Sequence, residues 1–338
     1  MSSRQRVRAI IARQEPDRCG FWLGEPHPDT LPLYLRAFSV PDGEALRRLL
    51  QDDLRWISPQ WDAYHHPQGK LMFDLQREGR ADSSDGLLAH CIDPAQVDDF
   101  DWPDPAYLDF SEILAALHTA GDVYRASGFW CPFFHQAADL FGMQNYFTKM
   151  FTHPQVVHAV TRRLVQFYLE ANRRFYTAAG NLMDGFFFGN DFGTQLDLFI
   201  SPRLFDEFVA PYFKELVYQA HAFGYQVILH SCGAIGRVIP RLIEMGVDAL
   251  HPLQARAQGM DAETLSKLYR GKIAFIGGID TQDLLVNASP EEVKADVRRV
   301  KRLLGPHLVV SPSHESLLPN VPPENVCAMA EAAVEPDY

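Results

Sequence analysis

The sequence predicts an α/β protein: a single (β/α)8 barrel of the TIM type over residues 1–338, with an elaborated N-terminal region. Three observations predict it. Strand-length runs in the second half are apolar throughout, which implies burial on both faces and so a parallel sheet beneath helices. These runs alternate with amphipathic segments carrying helix start and stop residues. Polar residues gather where the strands end, the face on which such barrels place their chemistry.

The units follow one another in order. Residues 183–188 are an apolar run closed by the polar turn Gly189-Asn190-Asp191. Ser201-Pro202 opens a helix reaching about Phe223, with Gly224 as its stop. Residues 225–229 make the next strand, ending in His230-Ser231-Cys232-Gly233. A helix over 235–245 stops at Gly246, and the short strand 248–250 ends in His251-Pro252-Leu253-Gln254. A helix over 262–269 precedes the strand 273–276 and the turn Gly277-Gly278-Ile279-Asp280. Ser289-Pro290-Glu291-Glu292 caps a helix to Leu304. Residues 308–310 form the last strand, Ser311-Pro312-Ser313-His314-Glu315 its loop, and Pro322-Pro323-Glu324-Asn325 starts the final helix. In the first half, residues 54–59 and 128–133 read as strands and residues 1–14 as a helix. The Asp-, Gly- and Pro-rich stretch of about 60–110 reads as a long excursion over the barrel mouth. No Gly-x-Gly-x-x-Gly follows an early strand, which weakens a doubly wound dinucleotide fold.

The net charge of −12 repels nucleic-acid phosphates and anionic membranes, so neither is an expected partner. The five cysteines are odd in number and widely spaced, which suggests no disulfide framework and fits a reducing, cytoplasmic setting. The basic N-terminus lacks the apolar core of a signal peptide, and no stretch of about 18 apolar residues exists to span a membrane.

Chemistry is expected at the strand ends. His230 and Cys232 lie two apart in an extended stretch, so their side chains point the same way, and a borderline-soft ion such as zinc accepts imidazole and thiolate together. His314 or Glu315 is available as a third ligand. Asn190, Asp191 and Gln195 form a second group. Asp191 is suited to accept a proton, bind a cation, orient a histidine or cap the turn. Asp280 is a candidate catalytic acid or a helix N-cap. Gln254, His251, His135 and Trp22 are candidate substrate contacts, the two histidines also reading as wall residues. Phe186, Phe187 and Phe188 read as barrel core.

Arg13-Gln14-Glu15-Pro16-Asp17-Arg18, Trp102-Pro103-Asp104-Pro105, Asp191-Phe192-Gly193-Thr194-Gln195, Ile200-Ser201-Pro202, His230-Ser231-Cys232-Gly233, Pro252-Leu253-Gln254, Gly277-Gly278-Ile279-Asp280-Thr281-Gln282 and Pro322-Pro323-Glu324-Asn325 occur in one order. In that order they resemble the uroporphyrinogen decarboxylase superfamily, which also holds cobamide-dependent methyltransferases. The resemblance spans nearly the whole chain and implies a (β/α)8 barrel. The His-x-Cys-Gly and the arginine-free segment 20–27 are similar to the methyltransferase branch, whose members hold zinc with a second cysteine from the last strand's loop. That loop has no cysteine here, and His314 takes the third place. The implied function is a corrinoid-linked methyltransferase or demethylase acting on a small methylated substrate. Zinc would be held by His230, Cys232 and His314, Asp191 and Gln195 would orient substrate, and a partner protein would carry the corrinoid. A homodimer is the fold-level expectation. The alternatives are a cofactor-free decarboxylase using arginines such as Arg36, Arg237 and Arg256, and a non-catalytic binding protein.

Overall fold

Strands that are apolar on both faces need cover on both sides, and a ring of strands inside a ring of helices supplies it. A computed structural model describes residues 1–74 and 85–336. Its barrel strands are β1 (Gly20–Phe21), β2 (Leu54–Trp56), β3 (Tyr124–Ser127), β4 (Gly185–Gly189), β5 (Gln226–His230), β6 (Ala249–His251), β7 (Ala274–Ile279) and β8 (Leu308–Pro312). Neighbours pair in parallel from β2 through β8, and β8 returns to β1 through Gly20↔Val309 and Phe21↔Val310. The expected (β/α)8 architecture is therefore observed.

One seam, between β1 and β2, has no ladder. Buried carboxylates close it. The Asp53 N–H donates to Phe21 O at 2.8 Å, Phe21 N–H to Asp53 Oδ2 at 3.0 Å, and Leu23 N–H to Asp52 Oδ2 at 3.1 Å. Arg6 and Arg18 hold Asp53 at 2.8 and 3.0 Å, and Asp17 takes the other edge of Arg6 at 2.7 Å. The Asp17-Arg18 pair of the N-terminal motif is thus part of the barrel's floor. The helix Ser3–Ile11 plugs that end, burying Val7, Ile10 and Ile11 against the barrel interior.

Pleating divides the barrel's side chains between two cores. Phe187 enters the interior cluster with Leu54, Tyr124, Ile228, Ala249, Ile276 and Val309, while Phe186 and Phe188 pack outward under the helices. Period 2 also carries Trp22, Trp56, His230, His251 and Ser311 onto the inner face at the carboxyl ends of their strands.

Three local expectations are corrected. The apolar run 128–133 is not a strand: β3 ends at Ser127 and a helix begins at Phe133. Cys131 takes a left-handed φ of +49°, and the Phe129 N–H bonds the Asn172 side chain rather than a neighbouring strand. The helix expected over 201–223 is two, Pro202–Phe208 and Ala210–Ala222, because Pro211 has no N–H to continue the ladder. The helix expected from residue 235 runs Ile239–Glu244. The described part of the expected excursion holds short 3-10 turns at Trp61–Ala63, Pro94–Asp99 and Pro105–Tyr107. Its residues 75–84 lie outside the described residues. Among the described residues no helix is long and apolar enough to cross a membrane.

Candidate active site

The loops after β4 and β5 are locked together by backbone contact, and this sets the site's geometry. Gly233, at φ +87°, packs so closely on the first loop that a Cβ there would lie 2.2 Å from Gly193 O. Ala234 N–H donates to Thr194 O at 2.7 Å and Phe192 N–H to Ser231 Oγ at 3.1 Å. Asp191 is thereby held over Cys232, whose N–H donates to Asp191 Oδ1 at 2.8 Å.

His230 sits at the centre and is 4% exposed. Its Nε2 lies 3.4 Å from Cys232 Sγ and 3.3 Å from Asp191 Oδ1. Its Nδ1 faces the other way, 3.0 Å from His251 Nδ1 and 3.5 Å from Glu315 Oε2. Two groups of potential metal-binding atoms therefore share one imidazole: Asp191, His230 and Cys232 on one side, and His230, His251 and Glu315 on the other, each within 4.8 Å. Burial raises the Asp191 carboxyl, but the hydrogen bond and charge of His230 and the Cys232 N–H outweigh it and bring its pKa down to about 2. Burial likewise opposes the charged form of His230, yet Asp191, Cys232 and Glu315 together push its pKa well above the ordinary value. Burial first, and then the charges of His230 and His314, drive His251 well below. The same surroundings therefore favour the charged form of His230 and the neutral form of His251.

Residues 87–336 match the family model described as uroporphyrinogen decarboxylase (URO-D). The chain belongs to the uroporphyrinogen decarboxylase family. A methyltransferase from Methanosarcina mazei shares the fold of this URO-D family chain, with a TM-score of 0.69 and 14% identity over 99% of each chain. A protein assigned as a vitamin-B12-independent methionine synthase from Listeria monocytogenes aligns with a TM-score of 0.44 and 12% identity over 94% of each chain. Among curated protein sequences none matches the chain.

In this URO-D family chain the expected site residues separate into those that reach the cluster and those that serve its frame. His230, Cys232, Asp191 and His251 come together. His314 stands apart and belongs to neither metal-binding group. Its ring centre is 6.5 Å from that of His230, and its Nδ1 accepts the Ser316 N–H at 3.0 Å. The cause is the pairing of Ser316–Leu317 with Glu25–Pro26, which pulls the chain aside after Ser313. His314 instead lines a cavity of about 480 Å³ with Gln254, Thr281 and Ser313.

Gln254 holds the cysteine loop through Gly233 N–H, 2.7 Å from its Oε1. Asn190 ties down the loop after β3, accepting from Phe134 N–H and donating to Cys131 O at 3.0 and 2.9 Å. Asp280 caps its own turn, accepting from the Gln282, Asp283 and Leu284 N–H groups, and pairs with Arg256 at 3.0 Å. Gln195 is exposed, and no contact among the described residues joins its side chain to the cluster. His135 lines a second cavity, about 420 Å³, with Trp61, Met72 and Asp139, and its charge acts on Asp191. Trp22 is fully buried beside His251, their rings 5.1 Å apart, with no partner for its Nε1 among the described residues.

Glu315, open in the sequence as a third ligand beside Cys232, faces the other side of the imidazole, 3.5 Å from His230 Nδ1, and Trp56 and Ser311 were not singled out. Period 2 along β2 and β8 would have placed Trp56 and Ser311 on the inner face.

Proposed function

We propose that this chain is a methyl-transferring enzyme whose reactive centre is a zinc ion held by Asp191, His230 and Cys232. The observation that carries the reading is the fit of the donor set. Zinc bonds of about 2.0–2.1 Å to nitrogen and oxygen and about 2.3 Å to sulfur, at tetrahedral angles, separate nitrogen from oxygen by about 3.4 Å and nitrogen from sulfur by about 3.6 Å. The corresponding separations here are 3.3 and 3.4 Å. Three protein donors leave a fourth position for a substrate, as catalytic zinc sites do.

Zinc held there would supply Lewis acidity, lowering the proton affinity of a thiol in the fourth position. The chain's own residues do the rest. With the Nδ1 proton of His230 directed to His251 and Glu315, the Nε2 lone pair faces Asp191 and Cys232, a tautomer inferred from the hydrogen-bond network. The Cys232 N–H and the Gly193–Gly233 contact fix the carboxylate over the thiol. The buried rings beneath exclude water. The methyl source or acceptor in this reading is a corrinoid carried by a partner protein, supported by the sequence resemblance.

The decarboxylase alternative is less well supported, because among the described residues no arginine pairs with the carboxylates of the cluster. Arg237 binds Asp197 at 2.8 Å, Arg256 binds Asp280 and Asp283, and Arg36 is exposed.

Elemental analysis of the purified protein tests the reading. One zinc per chain is expected, lost in Cys232→Ser and Asp191→Ala and retained in His314→Ala. A protein that takes up no stoichiometric metal on reconstitution, or that loses it only when His314 is changed, refutes it.

A further inference from the structure

The mouth of the barrel has an aromatic floor. Phe187 lies at its middle, its ring centre 5.8 Å from Trp22, 5.3 Å from Trp56, 5.7 Å from Trp130 and 5.2 Å from His251. Trp56 and Trp130 stand at the partly exposed rim, 5.0 Å apart, and Trp130 continues at 5.0 Å to the His230 ring. Three of the chain's five tryptophans therefore meet at one strand-end layer. Gly189 makes room for them: a Cβ there would fall 2.0 Å from Trp130 Cζ2.

Two carboxylates, Asp191 and Glu315, border this floor on opposite sides of His230. Among the described residues the ion-pair partners of Asp191 and Glu315 are imidazoles alone, His230 for the first and His230 and His314 for the second. Among the described residues Arg237 pairs with Asp197, and Arg256 with Asp280 and Asp283. A divalent ion on Asp191 and the Cys232 thiolate balances those two charges, and the Glu315 carboxylate remains in excess. An anionic substrate would meet like charge here. Indole faces attract positive charge and accept methyl groups in close contact, so they suit an alkylated cation that has few N–H groups to satisfy.

We propose that the substrate is a methylated onium cation, a tertiary or quaternary methylammonium or a methylsulfonium, seated against the faces of Trp56 and Trp130 beside Glu315 and Asp191. Transfer of its methyl, in which a thiolate would form the new S–C bond as the C–N or C–S bond of the onium breaks and a neutral amine or thioether leaves with the electron pair, rests on the preceding reading. That the cation binds rests on the aromatic floor and the carboxylates alone.

The test is calorimetric titration of the purified protein, its metal content measured, with tetramethylammonium chloride and in parallel with tert-butanol, a neutral body of similar shape. The cation is expected to bind saturably and the alcohol at least about tenfold more weakly. Trp130→Leu and Trp56→Leu should each weaken the cation about tenfold, and Trp130→Phe, which keeps a π face, should recover part of the loss. Equal affinity for cation and alcohol, absence of saturable cation binding, or unchanged binding in both leucine variants overturns the proposal. Should one leucine variant fail to fold, the wild-type comparison and the other variant decide. Metal content reads the zinc site separately. Bound zinc without cation binding sinks the onium proposal alone, and cation binding by a chain that takes up no metal sinks the zinc reading alone.

Discussion

Gly189→Ala isolates the packing on which the aromatic floor depends. The three atoms nearest a Cβ at this position all belong to the Trp130 indole, at 2.0, 2.3 and 2.6 Å. Carbon atoms in contact need about 3.5–4.0 Å, so the indole must retreat by about 1.5–2 Å. It cannot do so freely, because the rings of Trp56 and His230 each lie 5.0 Å from its centre. The expected loss is about 1–3 kcal/mol, the range for an added methyl group in a packed core. A glycine-to-alanine change also reduces the freedom of the unfolded chain, worth about 0.4–1 kcal/mol in favour of the variant. That contribution is common to any background and cancels in a double-mutant cycle. Urea unfolding of wild type, Gly189→Ala, Trp130→Ala and the double variant measures the coupling. In the Trp130→Ala background the added methyl should be neutral or slightly stabilising. A Gly189→Ala penalty that is the same in both backgrounds, to within about 0.5 kcal/mol, would show that the glycine does not serve the indole.

Three further outcomes are expected. Asp53→Ala leaves Arg6 and Arg18 without their shared carboxylate and opens the β1–β2 seam, so it should lower stability by about 3–5 kcal/mol in denaturant unfolding, and a loss under about 1 kcal/mol would contradict the closing role. Glu315→Gln keeps every proposed zinc donor but removes the charge 3.5 Å from His230 Nδ1, so zinc affinity measured against a competing chelator should fall about 10–100-fold, and unchanged affinity would remove Glu315 from the orienting role. The hydrogen bond from His221 Nε2 to Asp248 Oδ2, 2.9 Å long, raises the imidazole pKa. A raised folded-state value means that the pair stabilises fully below the unfolded histidine pKa of about 6.5 and loses that contribution as pH rises through the folded value. The stability gap between wild type and His221→Asn should therefore shrink from about pH 6 to about pH 9, and a gap that widens would reverse the assignment.

How much was legible in the sequence differs between strand and loop. Period 2 carries information along each strand without any knowledge of its neighbours. It sufficed to pair His230 with Cys232 and to place Asp191, His251 and Gln254 at strand ends. The run 128–133 misled for a related reason: apolar residues that cover a barrel from outside have the same composition as a strand inside it.

The amino-acid sequence by itself determined the strand–helix alternation of the second half and the level at which its polar side chains stand, because both follow from local periodicity and turn chemistry, whereas the short strands Gly20–Phe21 and Tyr124–Ser127 emerged only in the folded ring. Which side chains meet was decided only by tertiary structure. Backbone contact at Gly193 and Gly233 turned Asp191 toward His230, and the pairing of Ser316–Leu317 with Glu25–Pro26 carried His314 away and left Glu315 facing inward. Contacts across a closed ring depend on how distant segments pack, and spacing within one segment carries no record of that.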